Sequence, residues 1–486
     1  MYSRRSRKIS ALAPLVVLGL IMGTAGEAIA KGQETTYQRQ AVRQFAQGEL
    51  VVRYAPGASR MVRTDARNDL GATGGSGSVL KGLQVLDLPA GTSVNSAVAQ
   101  AESLPGVLYA EPNYRVAINA APNDPMFGQM WAMGLANSKG VNSGIGTPRV
   151  WNLTTGSAGV TVAVVDSGVD GTHPDLAPNM WTNPNETPGN GQDDDGNGLI
   201  DDTRGWDWVG KDNDPNDENG HGTHVAGIVG ARGNNAAGVA GVNWEVRLMP
   251  LRVLDAAGSG WTSDVAEAFA YAGEMGVDVV NASLAGSSLS QVLLDSIAAS
   301  PDTLFVVAAG NESADVGIKP SYPCSYPLPN IICVAASSQS NQLSTYSNFG
   351  VASVDLAAPG DAILSTWPGG TYNEGWGTSS ATPHVAGVAA LLGAQHPEAS
   401  ADRIRTAILA GAEPLAAFAG RTVTGGRLSS AGAFQQMGDV VPEEQQTDTL
   451  RENRDQDKKK KKRCTSKRRG RKGKRARKAF RARNSR

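Results

Sequence analysis

The chain has 486 residues, 40% of them hydrophobic, with 45 Lys and Arg, 46 Asp and Glu, 58 Gly and three Cys. Such a length accommodates two or three domains, a mean hydropathy of -0.26 with one short apolar run excludes a polytopic membrane protein, and the hydrophobic content excludes disorder throughout. The near-zero charge conceals a split, because residues 458–486 carry 18 Lys or Arg and no carboxylate while residues 123–457 carry 14 basic and 38 acidic residues, a net of -24.

Residues 1–30 read as a secretory signal, with Arg4, Arg5, Arg7 and Lys8 before the apolar stretch Ala11 to Gly23 and Ala28-Ile29-Ala30 as a cleavage site. The apolar stretch falls short of the roughly 20 residues a membrane span needs, so export is expected and no transmembrane segment in the mature protein. Arg7 stands where twin-arginine signals place an apolar residue, which favours the general secretory route.

Residues 31–121 form the next unit, compact from about Gly48. Gly48 to Tyr54 and Leu83 to Leu88 alternate as strands do, Ser93 to Leu104 has helical spacing, and Gly106 to Tyr109 closes a small α+β domain. Gly71 to Gly77 is expected to be a flexible loop.

From residue 122 to about 435 the pattern changes to wholly apolar runs separated by helical segments. The runs are Val160 to Val165, Val246 to Leu254, Val277 to Ser283, Leu304 to Ala309 and Ile331 to Ala335, and the helices Thr262 to Met275, Leu289 to Ala299 and Ala381 to Gln395. Strands buried on both faces between helices predict an α/β domain with a parallel sheet, whose sites form at the carboxyl ends of strands. Residues 436–486 have no apolar periodicity and read as a disordered tail, strongly basic from 458. Cys324 and Cys333 are close enough for one disulfide across a loop, with three unpaired thiols as the alternative; Cys464 is left odd.

Three segments place a reactive side chain beside glycines at a strand end or helix start: Val160 to Asp166-Ser-Gly168, Asn219-Gly-His221-Gly-Thr-His224, and Gly377-Thr-Ser379-Ser-Ala-Thr-Pro383-His. Taken singly, the Asp suits a metal or turn cap, the two His a metal pair or a packed helix, and the Ser an N-cap. Together they supply a nucleophilic triad in the chain order Asp, His, Ser.

On these segments the chain resembles the subtilisin-like serine proteases, the subtilase family, over roughly residues 45–434, with the preceding domain similar to the family's inhibitory propeptide. The resemblance implies a subtilisin-like parallel sheet and a secreted serine endopeptidase made as a zymogen and self-processed between Arg115 and Asn123. It implies that Asp166 supports His221, that His221 takes the proton of Ser379, and that Asn311, in Ala308-Ala-Gly310-Asn311, is the oxyanion donor. Ser283, Leu284 and Ala285, with Ala308 and Gly310, would bind an extended peptide; Ala285 stands where relatives usually have Gly and Ser380 where many carry Met.

Structural Ca2+ is the expected cofactor. Asp193, Asp195, Asn197 and Asp201 resemble the start of an EF-hand loop without its closing Glu, and the family likeness points to a second ion at Asp124, Asp175 and Asn234 or Asn235. The expected partners are peptide substrates and the chain's own propeptide, with the mature enzyme a monomer, and a nonspecific polyanion touched by the basic tail. The rival reading is a polyanion or cell-surface binding protein in which proteolysis is absent or secondary.

Overall fold

The structure is a computed structural model that describes residues 45–77, 80–114, 121–134 and 141–441. The signal, residues 115–120 of the expected processing window and the tail from 442, Cys464 included, lie outside the described residues.

The small domain runs β1 (Phe45–Tyr54), α1 (Arg60–Asp69), β2 (Gly74–Gly77), β3 (Leu83–Asp87), α2 (Val94–Glu102) and β4 (Val107–Tyr114). Its antiparallel sheet has the order β2-β3-β1-β4. Alternate residues Leu50, Val52 and Tyr54 of β1 point into a core shared with Leu86, Ala66, Val94, Ala97 and Ala101, as the period of two requires. Two elements depart from the sequence expectation. Gly74–Gly77 is an edge strand on β3 rather than a free loop, because pairing there uses only backbone; a Cβ at Gly75 would lie 2.7 Å from the Val85 carbonyl. The helix α1, capped by the Ser59 hydroxyl, buries only Ala66 and so carries almost no apolar stripe to read.

The second region carries β5 (Gly156–Asp166), β6 (Trp206–Asp207), α3 (His221–Gly230), β7 (Glu245–Arg252), α4 (Thr262–Glu274), β8 (Val279–Ala282), α5 (Gln291–Ala298), β9 (Leu304–Ala308), β10 (Ile331–Ser337) and β11 (Leu356–Pro359). A hairpin of β12 (Ile363–Trp367) and β13 (Thr371–Gly375) leads into α6 (Thr378–Gln395), followed by α7 (Ala401–Ala410), β14 (Glu413–Pro414), β15 (Gly426–Arg427) and α8 (Ser430–Gln436). Nine strands form one sheet in the order β14-β15-β11-β10-β9-β8-β5-β7-β6, parallel except for β14 against β15.

Successive residues of the central strands feed opposite cores. Val162 and Val164 of β5 pack with Val225 and Ile228 of α3 and Val385 and Leu391 of α6, whereas Ala163 and Val165 pack with Val265 and Phe269 of α4 and Ile297 of α5. Burial on both faces explains the unbroken apolar runs. Since β8 lies between β5 and β9, Asp166 at the end of β5, Ser283 just past β8 and Asn311 just past β9 reach the same edge of the sheet. Cys324 and Cys333 are disulfide-bonded, tying the loop before β10 to that strand.

Candidate active site

Asp166 closes a strand with no exposed residue in its last turn of chain and is itself fully buried. Its Oδ1 accepts from Ser167 N at 2.7 Å and meets His221 Nδ1 at 2.7 Å. His221 opens α3, whose N-terminus lies hard against the turn after β5; a Cβ at Gly222 would stand 2.0 Å from the Gly168 carbonyl oxygen. The preceding Gly220 has φ 103, left-handed backbone that favours glycine, and a Cβ there would enter the Trp367 ring at 2.4 Å. With Nδ1 held by the carboxylate, Nε2 is the nitrogen left for the cleft that His221 lines. Burial alone would push the imidazole down, but the Asp166 carboxylate beside it, aided by Asp217, raises it above its ordinary value.

Ser379 is the second residue of α6, only 9% exposed, behind Gly377 at φ 130. A Cβ on Gly377 would come within 2.8 Å of Ser379 Oγ and 3.4 Å of Asn311 Nδ2, so the hydroxyl and this amide flank the same glycine. Thr378 donates to Asn311 Oδ1 from both its N at 2.9 Å and its Oγ1 at 3.0 Å, which leaves Nδ2 as the end of the amide facing the cleft. Ser283 Oγ donates to the Ser379 carbonyl at 2.9 Å and accepts from Asn281 Nδ2 at 2.9 Å, a chain that ties the end of β8 to the turn of Ser379. His221, Ser283, Leu284, Ala285, Ala308, Gly310, Asn311 and Ser379 all line one cleft of about 600 Å³. Along it, Gly286 and Tyr322 exchange two backbone hydrogen bonds, at 2.9 and 2.8 Å.

Two further histidines, His224 and His384, are sited differently. His224 Nε2 bonds the Ile363 carbonyl at 2.8 Å and His384 Nδ1 the Ser380 carbonyl at 2.9 Å; burial pushes each down to about 4. They are neutral packing residues in the helices that carry His221 and Ser379.

The residues expected to bind metal divide. Asp193 and Asp195 come together with Glu186, one carboxylate oxygen of each lying within 4.8 Å of the others. Glu186 is 7% exposed; its Oε1 accepts from the N–H groups of Asp194 and Asp195, while its Oε2 is buried without a partner among the described residues. Asp201 stands apart, both its oxygens accepting from Asn190 N and Gly191 N, whereas Asn197 lies beside the cluster: its N donates to Asp193 Oδ1 and to Asp195 Oδ1, each at 3.1 Å, and its side-chain amide donates to Asp202. Around the other expected site, Asp124 Oδ2 accepts from Asn234 N at 2.7 Å with Oδ1 buried and unpartnered among the described residues. Asp175 accepts from Asn235 Nδ2, Val239 N and Tyr372 Oη. Sequence reasoning missed Glu186, which carries no spacing signal, and Thr378, which stood in view inside Gly-Thr-Ser.

Residues 157–454 match the model of the Subtilase family, and residues 32–113 match the fervidolysin N-terminal prodomain. The chain belongs to the subtilase family. A thermophilic serine proteinase of Bacillus sp. (strain AK1) is 36% identical over 355 residues, 72% of this chain and 79% of that protein. Thermitase of Thermoactinomyces vulgaris is 39% identical over 289 residues, 59% of this chain and 90% of its own. A solved protease from Pseudoalteromonas arctica PAMC 21717 aligns with a TM-score of 0.53 at 30% identity, covering 65% of this chain and 99% of that one. This subtilase is therefore a serine protease with a prodomain, as its relatives are named, and the fold and enzyme class expected from its motifs stand. Among the described residues no helix is long and apolar enough to cross a membrane.

Proposed function

We propose that this subtilase is an exported serine endopeptidase, made as a zymogen and self-processed, in which Ser379 is the nucleophile, His221 the general base, Asp166 its orienting carboxylate and Asn311 an oxyanion donor. The observation that carries the reading is the 2.7 Å contact of Asp166 with His221 Nδ1 in a cleft that also holds Ser379 and the free end of the Asn311 amide.

The chemistry follows from those positions. A serine hydroxyl is a poor nucleophile near neutral pH, so a neutral imidazole must take its proton as Oγ attacks the peptide carbonyl. Asp166 accepts from Nδ1–H, presents Nε2 to the cleft and stabilises the imidazolium formed. The carbonyl oxygen becomes an oxyanion beside Asn311 Nδ2 and the N-terminus of the 18-residue α6, whose dipole favours negative charge. The imidazolium then protonates the leaving amine, and water repeats the cycle on the acyl-enzyme. Ser283 to Gly286, with Ala308 and Gly310, border the cleft, suited to an extended peptide held through its backbone.

The proposed division of the chain is signal 1–30, propeptide 31–121, catalytic domain 122–435 and tail 436–486, the mature enzyme acting as a monomer. Calcium is the proposed structural ion. Oxygen-only donors and the orphaned buried oxygens Glu186 Oε2 and Asp124 Oδ1 suit a hard cation; Asp193 and Asp195 with Glu186, and Asp124 with Asp175 and the 234–235 loop, would hold it. Bound there, calcium would neutralise the acidic clusters and brace the loops without entering the reaction. The basic tail is proposed to hold polyanions, an interaction that salt should abolish steeply.

Intact mass of the wild type beside Ser379→Ala, both expressed from residue 31 with calcium, tests the reading. Loss of a segment ending between Arg115 and Asn123 in the wild type alone supports it. A Ser379→Ala chain that still processes itself or cleaves peptides overturns it.

A further inference from the structure

Asp217 is a buried carboxylate, 5% exposed, that is no part of the triad. It gathers five donors: Ser167 Oγ at 2.9 Å, Asn219 N at 3.0 Å and Gly220 N at 2.8 Å on Oδ1, and Thr223 N at 2.8 Å and Thr223 Oγ1 at 2.6 Å on Oδ2. Three of the five are backbone N–H groups on either side of His221, so the chain from 217 to 223 is wound about this one side chain. Two belong to the start of α3, where N–H groups lack helical partners and a negative charge is favoured. The fifth donor, Ser167, comes from the opposite side of the site. Its own N–H donates to Asp166 Oδ1, and its Oγ also accepts from Gly222 N at 3.0 Å. A single hydroxyl thus joins the residue after Asp166 to the residue after His221.

We propose that Asp217 is the positioning residue of this active site: through Ser167 and the Gly220 and Thr223 amides it fixes His221 against Asp166, and its charge favours the imidazolium that forms during catalysis. The other ionisable groups near this loop include Asp166 at the end of β5, Asp214 and Glu218 on the loop itself, Asp170 and His173 in the turn after β5, His224 on α3, Arg252 at the end of β7, and Asp255 in the turn whose Ala256 carbonyl accepts from Asn219. Arg252 is already bonded to Asp207 and Glu218, so it is not available to Asp217, and the Glu218 side chain is turned to solvent, 59% exposed. Asp217 has no cationic partner among its contacts. Its charge is shared among uncharged donors and still reaches His221, which it helps to raise.

The inference rests on His221 as the general base, and the test separates the two ideas. The chain has five histidines, so selective labelling of histidine Cε1 resolves each one's titration by NMR in full-length Ser379→Ala, where no self-cleavage intervenes. Adding Asp217→Asn keeps the shape and removes the charge. The expected result is a fall in the His221 midpoint of about half a pH unit or more. A folded Asp217→Asn chain with an unmoved midpoint overturns the proposal. The second variant, Ser167→Ala on the active chain, keeps the Asp217 charge and cuts the bridge to Asp166. It is expected to lower kcat about tenfold at nearly constant KM, with the acid limb of the pH profile in place. Wild-type kcat in Ser167→Ala also overturns the proposal, and this result decides the matter if Asp217→Asn does not fold. Residual proteolysis by Ser379→Ala itself would instead sink the assignment of the triad.

Discussion

The Cys324–Cys333 disulfide closes a loop nine residues long in sequence separation, between the segment that borders the cleft and a central strand. Replacing both cysteines by Ala removes this constraint from the unfolded chain, and because Cys324 and Cys333 are 3% and 0% exposed the two lost sulfurs also leave small cavities that add to the loss. For a loop of nine residues the chain-entropy relation gives a loss of about 9 cal/mol/K, or about 2.6 kcal/mol at 25 °C. With a urea slope of about 3 kcal/mol/M for a domain of this size, loop closure alone should lower the midpoint by about 0.9 M, the cavities adding to it, and the slope should rise slightly, because the uncrosslinked chain unfolds further. The measurement is a urea titration of Ser379→Ala with and without the two substitutions, so that autolysis plays no part. Peptidase activity of the corresponding active pair at 25 °C should be largely retained, since neither sulfur lines the cleft. An unchanged midpoint would refute the loop-closure reasoning, and a shift several times larger would mean that the bridge holds the strand in the native state.

Asn311→Leu should lower kcat by about 100 to 1,000-fold with little change in KM, because its amide meets charge that exists only in the transition state; equal losses in both would point to substrate binding instead. The acid limb of kcat/KM should lie above the ordinary histidine value of about 6.5, since Asp166 raises His221 and only the neutral imidazole can act as base; activity is therefore lost as pH falls through that raised value, and a limb near 5 would contradict this. Chelation by EDTA should lower the melting temperature, and Glu186→Gln should lower it in calcium but not in EDTA; a loss of equal size in both would assign Glu186 to packing alone. Peroxide treatment should leave activity largely intact because Ser380, not Met, follows the nucleophile, and rapid inactivation would count against that expectation.

Much of this molecule is determined locally. Five apolar runs became β5, β7, β8, β9 and β10 because a strand covered on both faces has no polar side to write into its sequence. Asp166, His221 and Ser379 were legible because each sits where an element begins or ends, and the glycines around them answer short-range demands: positive φ at Gly220 and Gly377, and the close approach of α3 at Gly222. Tertiary structure decided the rest. Asp193 and Asp195 meet Glu186, with Asn197 beside them and Asp201 apart, because the partners of a carboxylate in an irregular loop depend on where the whole loop folds back, which no period records. The helix α1 and the glycine strand β2 escaped notice because one buries a single alanine and the other pairs through backbone alone. Asp217 reads in sequence as one more acid in a crowded acidic stretch. Only the packing of α3 against the end of β5 brings Ser167 to it and places its charge beside His221, because a hydrogen bond across 50 residues exists only once both segments are held by the same core.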